Sequence, residues 1–447
     1  MNKAKEHIIV FEHETLRHDK GEKRITADQL KALQNYYGDG IPFYSLCYNG
    51  VKFNEHVGAI QVGNTLIEIL PKADKVSASK EEENKWRDIL IDMLRAVGSF
   101  DIKTPSHSNL KIKPNTILDL YFELFIKEVE YLLHNGLVKQ YRKTEGIVTA
   151  LKGSLQFAKH LQQNLTHQER FYVRHTTYDV EHTLHFILFK TLRLLKQINT
   201  NAALQSRIGN LLLNFPEMPD IKISDSIFNQ FVFNRKTQSY SKAIEISRLI
   251  LLQYHPDLSK GRNHVLALMF DMNKLWEQFV FVSLRKNKQP DITITAQTSK
   301  YFWQPKNGCR SAIRPDIIIK NRSENCIVLD TKWKNLNGYN PSPDDLRQMY
   351  VYHEYYKAKK VGLVYPGSTL IKTMGTYLDP VTGKEVDKEC SIFSIPVEAN
   401  ITQWQKSIYT VFERWMNLPK KDLANDGTYL SLAIIQQNII TTIKSDI

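Results

Sequence analysis

The sequence predicts a multidomain chain of α+β and α/β character: a small N-terminal β-containing module, a mainly helical middle region, and a C-terminal mixed sheet flanked by helices. Three observations carry that reading. Strand-like apolar runs broken by glycine fill the amino-terminal end, apolar residues recur at helical spacing through the middle, and helix and strand patterns alternate towards the carboxyl end. At 447 residues and 52.0 kDa the chain is too long for one ordinary core, so two or three domains are expected. The expected boundaries are 1–110 for the N-terminal module and its linker, 111–261 for the helical region, and 262–447 for the C-terminal domain.

The elements follow in order. Thr26 to Tyr37 reads as a short helix with Thr26 as N-cap and Gly38 near its end. Val51 to Lys72 holds two strand-like runs around Gly58 and Gly63-Asn64, and Ala73 to Asn84 reads as a solvated polar linker. Helices then dominate from Lys85 to about Pro256. Leu118, Phe122, Phe125, Val129 and Leu132 mark one, with Gly136 near its end. Leu184, Leu188, Leu192 and Leu195 mark a second, and Ile244 to Leu252 a third. Between the first two lie Gln140 to Lys143 and a strand-like run from Thr149 to Phe157, interrupted at Gly153. His160, His167, His175, His182 and His185 lack metal-ligand spacing and read as structural.

From about Arg262 the order reads α-β-β-β-α-β-β-α. A helix from Asp271 to Leu284 precedes a strand from Ile292 to Trp303. Ile317-Ile318-Ile319 and Val328-Leu329 then form a hairpin around the polar loop Asn321 to Asn325. Pro341-Ser342-Pro343-Asp344-Asp345 starts a helix reaching about Lys357. Val361 to Tyr365 is a short strand stopped by Pro366-Gly367, Ser391 to Val397 another, and Gln403 to Met416 a closing helix.

Lys plus Arg number 60 against 47 Asp plus Glu, a net charge of +13, which favours a polyanion such as DNA as partner. Cys47, Cys309, Cys326 and Cys390 form no CxxC pair, which argues against structural zinc and a disulfide framework and fits a reducing cytoplasm. The start of the chain is charged rather than signal-like, and the sequence has no apolar run long enough for a bilayer, so a cytoplasmic protein without membrane contact is expected.

The central hairpin concentrates the chemistry. If it is centred on Ser323, Asp316 faces Asp330, and strand alternation puts Lys332 on the same side as Asp330. Two carboxylates and the backbone carbonyl of Thr331 suit Mg²⁺, with Mn²⁺ as an alternative, because a hard cation prefers oxygen ligands. Lys332 is then a candidate to orient or deprotonate a water, or to stabilise phosphoryl charge. Glu277, on the preceding helix, is a candidate outer ligand or base. Gln348 and Tyr352 lie one helical turn apart and share a face; the neighbouring tyrosines also permit plain aromatic packing.

Asp316, the Asp-x-Lys from Asp330 to Lys332, and the Gln-x-x-x-Tyr from Gln348 to Tyr352 resemble the PD-(D/E)XK nuclease superfamily. Three further stretches make the chain similar to the McrC nuclease family of McrBC restriction systems. They are Ile67 to Lys72, His134 to Tyr141 with Leu151-Lys152-Gly153, and Leu275 to Val280. The resemblance implies a restriction-endonuclease-like fold for 262–447 and a partner-docking role for the amino-terminal half. It further implies a Mg²⁺-dependent DNA endonuclease subunit of a GTP-driven, modification-dependent (5-methylcytosine-type) restriction complex. An AAA+ GTPase hexamer of McrB type would then recognise modified DNA and have its GTPase stimulated. No GxxxxGK[ST] loop occurs in the chain, so GTP is expected to act only through that partner. The alternatives are a free-standing nuclease in DNA repair or junction processing, and a non-catalytic DNA-binding adaptor.

Overall fold

A computed structural model describes residues 6–37, 41–72, 79–97, 116–255, 264–320, 326–336 and 340–417. The loop from Asn321 to Asn325, Gly38, Pro256, Arg262 and the first part of the expected linker (residues 73–78) lie outside the described residues.

The N-terminal module comprises β1 (Glu6–Phe11), β2 (Thr15–Arg17), α1 (Ala27–Tyr37), β3 (Tyr44–Cys47), β4 (Gly50–Phe53), β5 (His56–Val62) and β6 (Thr65–Leu70). Thr26 caps α1 as expected, in a reciprocal box: its Oγ1 accepts from Gln29 N at 3.2 Å, and Gln29 Oε1 accepts from Thr26 N at 2.8 Å. Between Val51 and Lys72 the chain makes three strands rather than two. Gly63 takes φ +58° at the turn joining β5 to β6.

The middle region opens with α2 (Lys80–Ala96), so the polar stretch expected as linker up to Asn84 is helical from Lys80. Ser79 caps it, and Glu81, Glu82 and Glu83 occupy its first turn, where the helix dipole favours negative charge. α3 (Ile117–His134) buries all five apolar residues that marked it. It ends at Gly136, φ +83°, whose amide donates to Leu133 O.

The region is mainly helical as expected, but it also carries a small sheet. β7 (Gln140–Val148), β8 (Ser154–Leu155), α4 (Phe157–Asn164) and β9 (Phe171–Asp179) build a three-stranded antiparallel sheet in order β7-β9-β8. Its strands are mostly polar, and Tyr141, Ile147 and Tyr178 are exposed, so no buried face announces it in the sequence. Helices resume with α5 (Thr183–Ile198), α6 (Ala202–Asn214), α7 (Asp225–Asn229) and α8 (Ser241–Leu252).

Next come β10 (Tyr254–His255) and β11 (Val265–Asp271). Residues 264–271 were expected in the C-terminal domain, yet β11 pairs along the whole of β5, giving the sheet β1-β6-β5-β11-β10. Gly58, φ +141°, permits this: a Cβ there would lie 2.1 Å from the carbonyl oxygen of Leu268. Asp271 then caps the next helix, so the N-terminal sheet leads straight into the C-terminal domain.

That domain holds α9 (Met272–Asn287), β12 (Thr293–Ala296), β13 (Lys300–Trp303), β14 (Ser311–Ile313), β15 (Ile317–Lys320), β16 (Cys326–Thr331), α10 (Pro343–Tyr356), β17 (Ala358–Gly367), β18 (Ile371–Leu378), β19 (Glu385–Pro396) and α11 (Ile401–Asn417). Among the described residues a mixed sheet runs β12-β15-β16-β17-β19-β18, antiparallel at the hairpin and parallel from β16 to β17 and β17 to β19. Alternation divides its faces. Ile317, Ile319, Ile327 and Leu329 pack with Trp276, Phe279 and Trp404 of α9 and α11; Ile318 and Val328 pack with Met349 and Tyr352 of α10.

Three expectations change here. The single strand from Ile292 to Trp303 breaks at Gln297, φ +50°, and its second half pairs with β14 in a separate hairpin. β18 was not expected; it is a sheet-edge strand whose residues are largely exposed. β17 continues through Pro366 because the ladder to β16 ends at Val364, so no neighbour on that side needs the missing amide. Among the described residues no helix is long and apolar enough to cross a membrane.

Candidate active site

The β15–β16 ladder pairs Ile317 with Leu329, Ile318 with Val328 and Ile319 with Ile327, a register symmetric about position 323 as the spacing predicted. Asp316 stands just before β15, and Asp330 is the penultimate residue of β16. The flanking apolar residues are buried in the two helix-covered faces, which fixes both acids at one end of the hairpin.

Asp316 Oδ2 accepts two hydrogen bonds from Thr331, from its amide at 2.7 Å and its hydroxyl at 2.8 Å. The hydroxyl is a positioning contact that the sequence did not suggest. Asp330 is only 1% exposed and lies on the α10 face of the sheet. Its Oδ2 sits 2.8 Å from Lys332 Nζ, an ion pair outside the angle of a directed hydrogen bond, so Oδ2 receives no directed donor. Burial, then the charge of Asp316, pushes the Asp330 carboxyl up to about 7 against the opposing pull of Lys332. Burial disfavours the Lys332 ammonium, but Asp330 and Asp316 hold its pKa above the ordinary value.

α10 delivers Gln348 and Tyr352 as the helical spacing predicted. Gln348 Nε2 donates to Tyr352 Oη at 2.8 Å and reaches Asp330 Oδ1 at 3.5 Å, a weak contact. Tyr352 is at once a buried packing ring and a polar group: its hydroxyl donates at 3.1 Å to the carbonyl of Arg314, two residues before Asp316.

Glu277 reaches the site indirectly. Its Oε1 accepts from Gln297 Nε2 at 2.7 Å, and Gln297 N donates to the carbonyl of Asp316 at 3.0 Å. Burial, then Asp316, raises the Glu277 pKa, with Gln297 opposing. Gln297 was missed, because a left-handed residue inside a strand-like run has no periodic signature. The segment after Asp330 is held from below. Lys332 N donates to Val364 O at 3.0 Å, and Trp276 Nε1 reaches the same carbonyl at 3.2 Å. Trp333 N donates to Asn273 Oδ1 at 3.0 Å.

The donor set fits a hard divalent cation. Asp316 spends one oxygen on Thr331 and keeps the other, while Asp330 carries a buried oxygen with no directed donor. Among the described residues no three His, Cys, Asp or Glu side chains gather as a metal cluster. A cation here would have Asp316 and Asp330 as its side-chain ligands. Two of the histidines serve the fold. His185 contacts the Tyr240 hydroxyl at 3.0 Å, and His182 the Val138 carbonyl at 2.8 Å.

A family model described as McrBC 5-methylcytosine restriction system component matches residues 51–366, a span that includes each of these site residues. A curated relative, the type IV methyl-directed restriction enzyme EcoKMcrBC of Escherichia coli (strain K12), is 24% identical over 244 residues, covering 51% of this chain and 67% of that protein. In fold, the chain matches one from a refined half-complex of the tetradecameric assembly of Thermococcus gammatolerans McrB AAA+ hexamers with bound McrC. The TM-score is 0.64 at 20% identity, covering 92% of this chain and 100% of that one.

Proposed function

Because the chain belongs to the McrBC 5-methylcytosine restriction system component family, we propose that it is the metal-dependent DNA endonuclease subunit of such a system, acting with an AAA+ GTPase partner. The observation that carries this reading is the convergence of Asp316, Asp330 and Lys332 at one end of a buried hairpin within the matched span. The sheet with α10 on one face and α9 and α11 on the other is read as a PD-(D/E)XK fold.

Asp316, Asp330 and the Thr331 carbonyl would hold Mg²⁺ or Mn²⁺, which when bound supplies a Lewis acid and an acidified water. Lys332, 2.8 Å from Asp330, is placed to neutralise charge on the scissile phosphate or to orient or deprotonate the attacking water. Gln348 and Tyr352 steady Asp330 and the Arg314–Asp316 segment. Glu277, tethered through Gln297, supplies a carboxylate at the rim.

The McrB hexamers with bound McrC in the structural relative support an AAA+ hexamer as partner, and the absence of a phosphate-binding loop in this sequence leaves GTP hydrolysis to that partner, whose GTPase this chain would stimulate. The test is co-purification with the AAA+ partner, followed by cleavage of methylated and unmethylated plasmid with and without GTP. Cleavage is expected only with GTP, Mg²⁺ or Mn²⁺ and methylated DNA, and is expected to stop on chelation. Cleavage with metal alone would instead favour a free-standing nuclease. Persistent cleavage by Asp330→Asn would overturn the site.

A further inference from the structure

The β13–β14 hairpin stands apart from the main sheet, and the nuclease reading alone assigns it nothing. A two-stranded ribbon is marginal by itself, so its placement needs an external anchor. The anchor is the site helix. Tyr356 Oη donates to Thr298 O at 2.6 Å and reaches Ile313 O at 3.1 Å, while Lys300 Nζ donates to Tyr355 O at 2.8 Å and lies 4.8 Å from the Tyr356 ring centre. Phe302 packs edge-on against Tyr355, and Tyr352 holds the Arg314 carbonyl where the hairpin returns to Asp316.

So rooted, the hairpin leaves large rings in water. Tyr301 is 66% exposed and Trp303 56%, with the Arg310 guanidinium 5.5 Å from the Tyr301 ring centre. A register shift between Tyr301 and Trp303 breaks the usual alternation of faces there. From Ile292 to Pro315 the sequence carries Lys300, Lys306, Arg310 and Arg314 and no acid. Aromatic rings interleaved with cations suit a nucleic-acid strand, whose bases stack and whose phosphates pair.

We propose that the β13–β14 hairpin is a DNA-contact arm, with Tyr301 and Trp303 stacking on bases next to the scissile phosphate and Lys306, Arg310 and Arg314 pairing with the backbone. The inference rests on the nuclease reading for its substrate, and its test is binding rather than cleavage. Full-length chain is titrated into fluorescein-labelled single-stranded and duplex DNA without divalent metal, and anisotropy is followed.

The Tyr301→Ala/Trp303→Ala double variant is expected to bind about tenfold or more weakly, with single strands most affected. Trp303→Phe is expected to restore most of the loss in the single-site series. Arg310→Gln is expected to lower the salt slope by about one, and circular dichroism is expected to match the parent throughout. Parent-like DNA binding by the double variant overturns the arm. So does loss of AAA+ assembly with DNA binding intact, which would make the surface a protein interface. If the arm variants lose DNA binding while the parent never cleaves, the arm stands and the nuclease reading falls.

Discussion

Trp333 Nε1 donates a hydrogen bond of 2.8 Å to Oε1 of Glu12, tying the residue after Lys332 to the end of β1, 321 positions earlier. The amide of Lys72 donates to the same oxygen at 2.7 Å, while Oε2 is buried without a hydrogen-bond partner. Burial pushes the Glu12 carboxyl up from 4.5 to about 7, against the hydrogen bonds from Lys72 and Trp333. A folded-state value above the unfolded one means that the stability contribution of Glu12 is complete below about pH 4.5 and lost as pH rises through about 7. Glu12→Gln resembles the protonated acid. It is expected to exceed the parent in stability by about 1–3 kcal/mol at pH 8 and to match it near pH 4, read by urea unfolding. An equal difference at both pH values would refute the titration of Glu12 as the cause.

Asp330→Asn removes a carboxylate that is raised to about 7, and whose ionisation therefore lowers stability as pH rises through that value. Cleavage is expected to fall at least about 100-fold. The melting temperature at pH 8 is expected to hold or rise. A variant that melts early would show that Asp330 serves the fold rather than the chemistry.

Lys332 compensates a buried charge from a partly exposed position, 27% against 2% for the Asp330 side chain. Lys332→Met is thus expected to cost about 1–3 kcal/mol in the parent, because it strands Asp330, and little in the Asp330→Asn background. A double-mutant cycle by chemical denaturation measures the coupling. Additive effects would mean that the 2.8 Å ion pair does not stabilise the fold.

Tyr352→Phe keeps the buried ring but deletes the hydroxyl bonds to Gln348 and the Arg314 carbonyl. A stability loss of about 1 kcal/mol is expected. Gln348→Ala should leave stability nearly unchanged and reduce cleavage about 10–100-fold, as loss of a group orienting a metal ligand does. Unchanged turnover would place Gln348 outside the site.

Gln297 holds φ +50° while bridging Glu277 and Asp316. Gln297→Gly relieves the backbone and Gln297→Ala does not, so the glycine variant should be the more stable of the two by about 1 kcal/mol. Both lose the bond to Glu277 and should show the same shift in the pH profile of cleavage. Equal stability of the two variants would remove backbone strain from the explanation.

Much of the site was legible because its parts are local. The hairpin register follows from apolar runs of period two about a polar loop, and Gln348 with Tyr352 from the helical period after a Pro-Asp start. Of the sheet of β7, β8 and β9 only β8, inside the strand-like run from Thr149 to Phe157, was legible, since the mostly polar β7 and β9 with exposed Tyr141 and Tyr178 carry no core pattern. Residues 264–271 read as the beginning of the last domain because nothing in Val265–Asp271 itself names β5 as its neighbour; only the glycine at position 58 admits that approach.

By itself the sequence determined the mixed sheet with its flanking helices, the pairing of the hairpin, and the placing of Asp316, Asp330 and Lys332 together, because alternation and helical period act over a few residues. The tertiary structure alone decided that Asp316 grips Thr331, that Gln297 bends the chain towards Glu277, that Glu12 props Trp333, and that β13 and β14 leave the sheet as a separate hairpin. Those relationships join residues far apart in the chain through burial and hydrogen-bond satisfaction, and neither has a period that a sequence displays.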